Sequence, residues 1–138
     1  MALWKRLRDE RGAVVVEFAI ILPVLMMVVF AVIDLSRFFF TLSTLSASVR
    51  EGARYGAVMT ADQLASDGPG KIRERVRGSF QPFGTPPLTD ADIEVDPDLA
   101  SGFITVSVPS YDFDLLTPFP YDITMPPRQA VFRWERAP

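Results

Sequence analysis

The chain has 138 residues, 49% of them apolar and 22% charged, with a formal net charge of −3. It has neither cysteine nor histidine, which excludes disulfides, thiolate sites, zinc sites of the usual kind, and the Ser-His-Asp and Cys-His nucleophile systems. The length leaves room for one membrane segment and one small domain, and an enzyme would have to work with carboxylates, lysine or tyrosine alone.

Residues 1–12 carry Lys5, Arg6, Arg8 and Arg11 against Asp9 and Glu10, a balance of +2 that leaves −5 for residues 13–138. From Ala13 to Ile33 run 21 residues in which Glu17 is the only ionisable one. As a helix this run spans roughly 30 Å, the hydrocarbon thickness of a bilayer. Basic residues on its leading flank predict a cytoplasmic N-terminus, with everything after about residue 35 outside. Arg37, Arg50 and Arg54 weaken that signal without reversing it, and Trp4 suits the membrane interface. The run is too long for a secretory signal core of about 7–15 residues, and no Ala-x-Ala follows it closely. The small residues of "STLSAS" at 43–48 come too late. A carboxylate in mid-helix is costly, roughly 2.5–3.5 kcal/mol for Asp on insertion scales, so Glu17 calls for a partner or for access to water.

The order of features is specific. A basic leader ends in Gly12, the apolar run begins at once, and Glu17 is the fifth residue after the glycine. This resembles the type IV prepilin signal. The longer string "RGAVVVEFAIILPVL", with "EGARYGAV" at 51–58, is similar to the TadE family, the minor pilins or pseudopilins of tight-adherence (Flp-type) pilus systems. The resemblance is close over residues 11–58 and looser beyond. It implies that a prepilin peptidase cuts after Gly12, that Ala13 becomes the new terminus, and that Glu17 docks against the amine of a neighbouring subunit. It also implies other pilin subunits, the pilus assembly platform and the bacterial cytoplasmic membrane as partners. Phe18 stands where major pilins often have tyrosine, which favours a minor subunit. Helix placement alone leaves a second reading open. In it the chain is an uncleaved single-pass anchor displaying a small extracytoplasmic binding module, and Glu17 reaches water near the cytoplasmic face.

Beyond Ile33 nothing breaks a helix until about Val58. Leu35, Phe38, Phe39, Leu42, Leu45 and Val49 recur at spacings of three and four, as one helix face does. A continuous helix over 13–59 is predicted, about 69 Å long to Val58 at about 1.5 Å per residue, with a kink at Pro23. Gly52 and Gly56 form a small-residue pair that serves either close approach of another helix or packing on the chain's own domain. The triplet "FFF" at 38–40 reads as an interfacial belt or a packing face.

Composition shifts near residue 60, after which eleven of the twelve prolines lie. "SDGPG" at 66–70 reads as a turn or linker. "KIRERVRGSF" at 71–80 reads as a short amphipathic helix with Gly78 as its stop. Its basic pairs, Lys71/Arg75 and Arg73/Arg77, form a solvated face rather than a nucleic-acid site in an acidic domain. "DIEV" at 92–95 and "FITVSV" at 103–108 alternate as a hairpin with a generous loop, and "YDITM" at 121–125 and "AVFRW" at 130–134 add one or two strands. The predicted class is therefore α+β. A long N-terminal transmembrane helix follows a leader (1–12) and precedes a small antiparallel sheet domain (60–138), as in type IV pilins.

The remaining candidate for chemistry is "DADIEVDPD", where Asp90, Asp92, Glu94, Asp96 and Asp98 alternate. A loop wrapping these carboxylates would suit calcium, but the EF-hand glycine and terminal glutamate are missing, and a strand would fan them apart as a solvated face. A hydrolase built on this cluster ranks last, with no aromatic sugar platform nearby. The expectation is a structural subunit with no enzyme activity, cofactor, nucleic acid or small-molecule substrate.

Overall fold

The computed structural model describes residues 10–117 and 123–134. The expectations on Trp4 and on Tyr121 and Asp122 therefore lie outside the described residues, as does most of the leader.

Helix α1 (Glu10–Ala57) continues unbroken from the apolar run into the domain and passes through Pro23 as one element. Proline at that point removes one backbone donor, a loss that membrane helices tolerate when nearby groups compensate. Every residue from Gly12 to Ile33 is exposed. From Asp34 onward one face turns inward, and Leu45, Val49 and Ala53 are buried at the spacing of a single helix stripe.

Helix α2 (Ala61–Ser79) folds back along α1. Its start is set by a capping box: Gln63 N donates to Thr60 Oγ1 at 3.3 Å, and Thr60 N donates to Gln63 Oε1 at 3.2 Å. "SDGPG" is not a linker. It lies within α2 as a kink at Asp67 (φ −146°, ψ 22°), after which the helix resumes with Pro69 in its new first turn, where a missing N–H costs nothing. The two glycines of α1 meet α2: a Cβ on Gly52 would strike Val76 Cγ2, and one on Gly56 would lie 2.7 Å from Ile72 Cδ1. Of the two readings of that pair, packing within the chain is the one observed.

After α2 a loop leads to a short 3-10 turn, Asp90–Asp92, and then to five strands: β1 (Glu94–Asp98), β2 (Phe103–Val108), β3 (Tyr111–Phe113), β4 (Ile123–Met125) and β5 (Arg128–Arg133). They form an antiparallel sheet in the order β1-β2-β5 and a separate β3-β4 pair. The hairpin register sets Val95 against Val106 and Asp98 against Phe103, so β1 begins two residues later than the alternation predicts and its turn is shorter. The inner face, Ile104, Val106, Val108 and Ala130, packs on the helices in a two-layer α+β arrangement. The outer face bears Glu94, Asp96 and Asp98 and stays open. At the far end of the domain, Trp134 Nε1 donates to Met59 O at 2.8 Å and Trp134 N to Gly102 O at 2.8 Å, tying the β1-β2 turn to the end of α1.

Candidate functional site

The predicted processing residues sit on the bare first turns of α1. Gly12 has open space where a side chain would stand, so no packing inside this chain requires a glycine there. Glycine lowers helix stability by roughly 1 kcal/mol relative to alanine, so this turn is intrinsically weaker than an alanine in its place would make it. Ala13 and Glu17 are one helical turn apart and share a face. Among the described residues Glu17 takes part in no hydrogen bond or ion pair and is exposed. It stands alone among Val14, Val15, Val16, Phe18, Ile20 and Ile21, all more than half exposed. A surface so apolar and so uncovered needs lipid or other chains around it.

The next charged residues on α1 behave in the opposite way. Asp34 and Arg37 are only 4% and 5% exposed. Arg37 Nη1 donates to Asp34 Oδ1 at 2.9 Å. The rest of the carboxylate is filled from the loop after β3: Leu116 N donates to Oδ1 at 2.9 Å, and Thr117 N and Thr117 Oγ1 donate to Oδ2 at 3.0 and 2.9 Å. The guanidinium reaches a second loop, donating to Gly84 O at 2.6 Å and Phe83 O at 3.3 Å, and also to Asp114 O at 3.2 Å. It lies over the Phe113 ring, 5.3 Å from the centroid, and Phe38 meets the same ring edge-on at 5.6 Å. Gly84 has φ +69°, and a Cβ there would lie 2.9 Å from Arg37 Nη2, so only glycine lets that loop approach. Burial works to raise the Asp34 pKa and is the largest single influence. The hydrogen bonds from Leu116, Thr117 and Arg37 together outweigh it and hold the carboxyl below its ordinary value.

The sequence reading took Arg37 as a charge on the far flank of the apolar run and missed the clamp it forms with Asp34. The available signal was an acid and a base three residues apart, immediately after an apolar span. The "FFF" triplet divides: Phe38 packs inward, whereas Phe39 and Phe40 are exposed.

The acidic run does not converge. Asp92 Oδ2 accepts from Thr89 N at 2.7 Å, Asp90 pairs with Arg77 at 3.3 Å, and Asp98 Oδ1 accepts from Ala100 N and Ser101 N at 3.1 Å. Glu94 and Asp96 point outward from β1. Among the described residues no group of three or more acidic side chains stands close enough to hold a metal ion. Three arginines of α2 are likewise engaged within the chain, Arg75 with Glu51 at 2.8 Å, Arg77 with Asp90 as above, and Arg73 with Ile93 O at 3.1 Å.

The stretch that carries Gly12, Glu17, Asp34 and Arg37 on one uninterrupted helix is also the stretch that is similar to a known family. Residues 12–54 match the TadE-like protein family. The match covers less than a third of the chain, begins at the glycine and ends within α1, and it points to a pilus-related function for this TadE-like segment. No curated protein and no solved structure matches the chain. The helix is long and apolar enough to cross a membrane, consistent with single-pass anchoring.

Proposed function

We propose that the chain is a minor pilin or pseudopilin of a tight-adherence, Flp-type pilus, made with a cytoplasmic leader and cut by a prepilin peptidase between Gly12 and Ala13. The observation that carries this reading is the uncovered apolar stretch of α1 from Gly12 to Ile33, which bears Glu17 as its one charge and starts where the TadE-like match starts. Hydrolysis of the Gly12–Ala13 amide places a carboxylate on the leader and an ammonium group on Ala13. The Glu17 carboxylate, exposed and without a partner among the described residues, is then available to the ammonium of an adjacent subunit. A charge in lipid is tolerated when paired and expensive when alone, so Glu17 disfavours the lone protomer and favours docking beside another pilin-like helix. The extracytoplasmic domain stays with the retained helix because its core is built on it.

The test is the N-terminal mass of the membrane-extracted protein, co-expressed with the matching prepilin peptidase and compared with Gly12→Leu. A chain that starts at Ala13, and no longer does so in the variant, supports the reading. A chain that keeps residues 1–12 under those conditions overturns it and leaves the uncleaved anchor. The open space at Gly12 means the substitution leaves the domain intact, so a lost cut reflects the peptidase rather than the fold.

A further inference from the structure

The two loops clamped by Asp34 and Arg37 share a second property. Each presents a large apolar side chain to the outside at the point of attachment: Phe83, 64% exposed, and Leu116, 56% exposed. The clamp grips them by the backbone, through Phe83 O and Leu116 N, which leaves both side chains free and fixes where they stand. Among the described residues Asp34 is the first buried one of α1, directly after the last residue of the apolar span. An apolar cleft of about 360 Å³ opens beside it, walled by Leu35, Phe38, Leu115 and Ile123 and reaching back to Ala31, inside the span.

We infer that this edge of the domain is a lipid-contacting seat: Phe83, Leu116 and the cleft at Ala31 lie in the interface of the membrane that α1 crosses. The inference rests on the membrane-anchored reading above and adds a second contact to it, made by the domain rather than the helix. Position favours lipid over a second copy of the chain. The loops are pinned at the height where the span ends, and one wall of the cleft belongs to the span itself. Aromatic and aliphatic side chains at that height are stabilised at the boundary between headgroups and acyl chains. Asp112 and Asp114 on the same stretch stay exposed, which limits the seat to the headgroup level and makes it independent of anionic lipid.

The absence of cysteine allows single labels in the full chain. Phe83→Cys, Leu116→Cys, Leu99→Cys and Val24→Cys are each labelled with a nitroxide and reconstituted into phosphatidylethanolamine–phosphatidylglycerol vesicles. Accessibility to oxygen, which concentrates in lipid, is compared with accessibility to a water-soluble nickel chelate. Leu99 lies in the β1-β2 turn, which is tied to Met59 at the far end of α1, and serves as the water reference. Val24 serves as the lipid reference. The expected result is an oxygen-to-nickel ratio several-fold higher at 83 and 116 than at 99, persisting as the phosphatidylglycerol fraction falls. Ratios at 83 and 116 equal to that at 99, with 24 in lipid, overturn the seat and leave the anchor standing. Shielding of 83 and 116 from both reagents marks cover by another protein chain and also overturns it. A label at 24 that reads as water removes the anchored reading and the seat together.

Discussion

Arg37 and Asp34, one helical turn apart on α1, form an ion pair at 2.9 Å that is almost sealed from solvent while each partner holds a different loop. Buried pairs of this kind owe their value to complete satisfaction, since the cost of desolvating two charges is recovered only when the remaining donors and acceptors are also met. Here Asp34 accepts from four donors and Arg37 donates to three carbonyls.

Removing one partner should therefore be severe. Asp34→Ala or Arg37→Ala is expected to lower domain stability by about 3–5 kcal/mol, the usual cost of an orphaned buried charge. Thermal unfolding of the full chain in detergent, followed by circular dichroism, measures it. An effect within about 0.5 kcal/mol, typical of surface sites, would refute the clamp.

The same carboxylate sets an acid limit. Its folded pKa lies below the unfolded value, so its contribution is fully present above about pH 4, the ordinary aspartate value. It is lost as pH falls through the lower folded pKa, because protonation then favours the unfolded chain. Stability should show no step from Asp34 between pH 5 and 8 and should decline below about pH 4. Asp34→Asn, already destabilised, should show a shallower acid decline.

The glycines of α1 should differ among themselves. Gly52→Ala drives a methyl group into Val76, whose branched side chain has little freedom to turn, and should cost about 1–3 kcal/mol by overpacking. Gly56→Ala meets the flexible end of Ile72 and should cost less. Gly12→Ala meets nothing and should leave the domain's melting temperature unchanged. Equal effects at Gly12 and Gly52 would contradict the packing of α2 on α1.

Glu17→Gln should leave the melting temperature unchanged, because the side chain is exposed and takes part in no hydrogen bond or ion pair among the described residues. It should reduce co-purification with partner pilins from membranes by about tenfold or more, the factor that corresponds to about 1.4 kcal/mol. Undiminished co-purification would remove Glu17 from the docking proposal.

Calcium should have no effect. The five carboxylates of residues 90–98 are separated between a turn, a cap and an open strand face, so added calcium should not shift the melting temperature. A shift lost in Asp96→Asn would show that a site assembles after all.

The long-range architecture was legible because its signals are long. Twenty-one residues with Glu17 as their only charge, then Leu42, Leu45 and Val49 at helical spacing, define α1 without help from the rest of the chain, and β2 alternates cleanly over six residues. Where the reading slipped, short-range chemistry was overruled by packing. "SDGPG" has the composition of a linker, yet Leu64, Gly68 and Ile72 are buried, and that burial holds a kinked helix together across it. β3 has only three residues, too few for any periodicity, and it exists because Phe113 fits against Phe38 and Arg37. The clamp was hidden for a related reason: an acid and a base after an apolar run look like a boundary, and only the return of residues 83–84 and 114–117 to the same place turns them into a core.

The way α1 is shared has a mechanical consequence. The domain is joined to the helix all along the stretch from Asp34 to Ala57, about 35 Å at about 1.5 Å per residue, rather than hung from its end by a tether. A pull along the rod therefore loads the clamp, the glycine–α2 contact and the sheet contact side by side, as shear, and none of them can be peeled open in sequence. A domain attached in this way yields all at once or not at all.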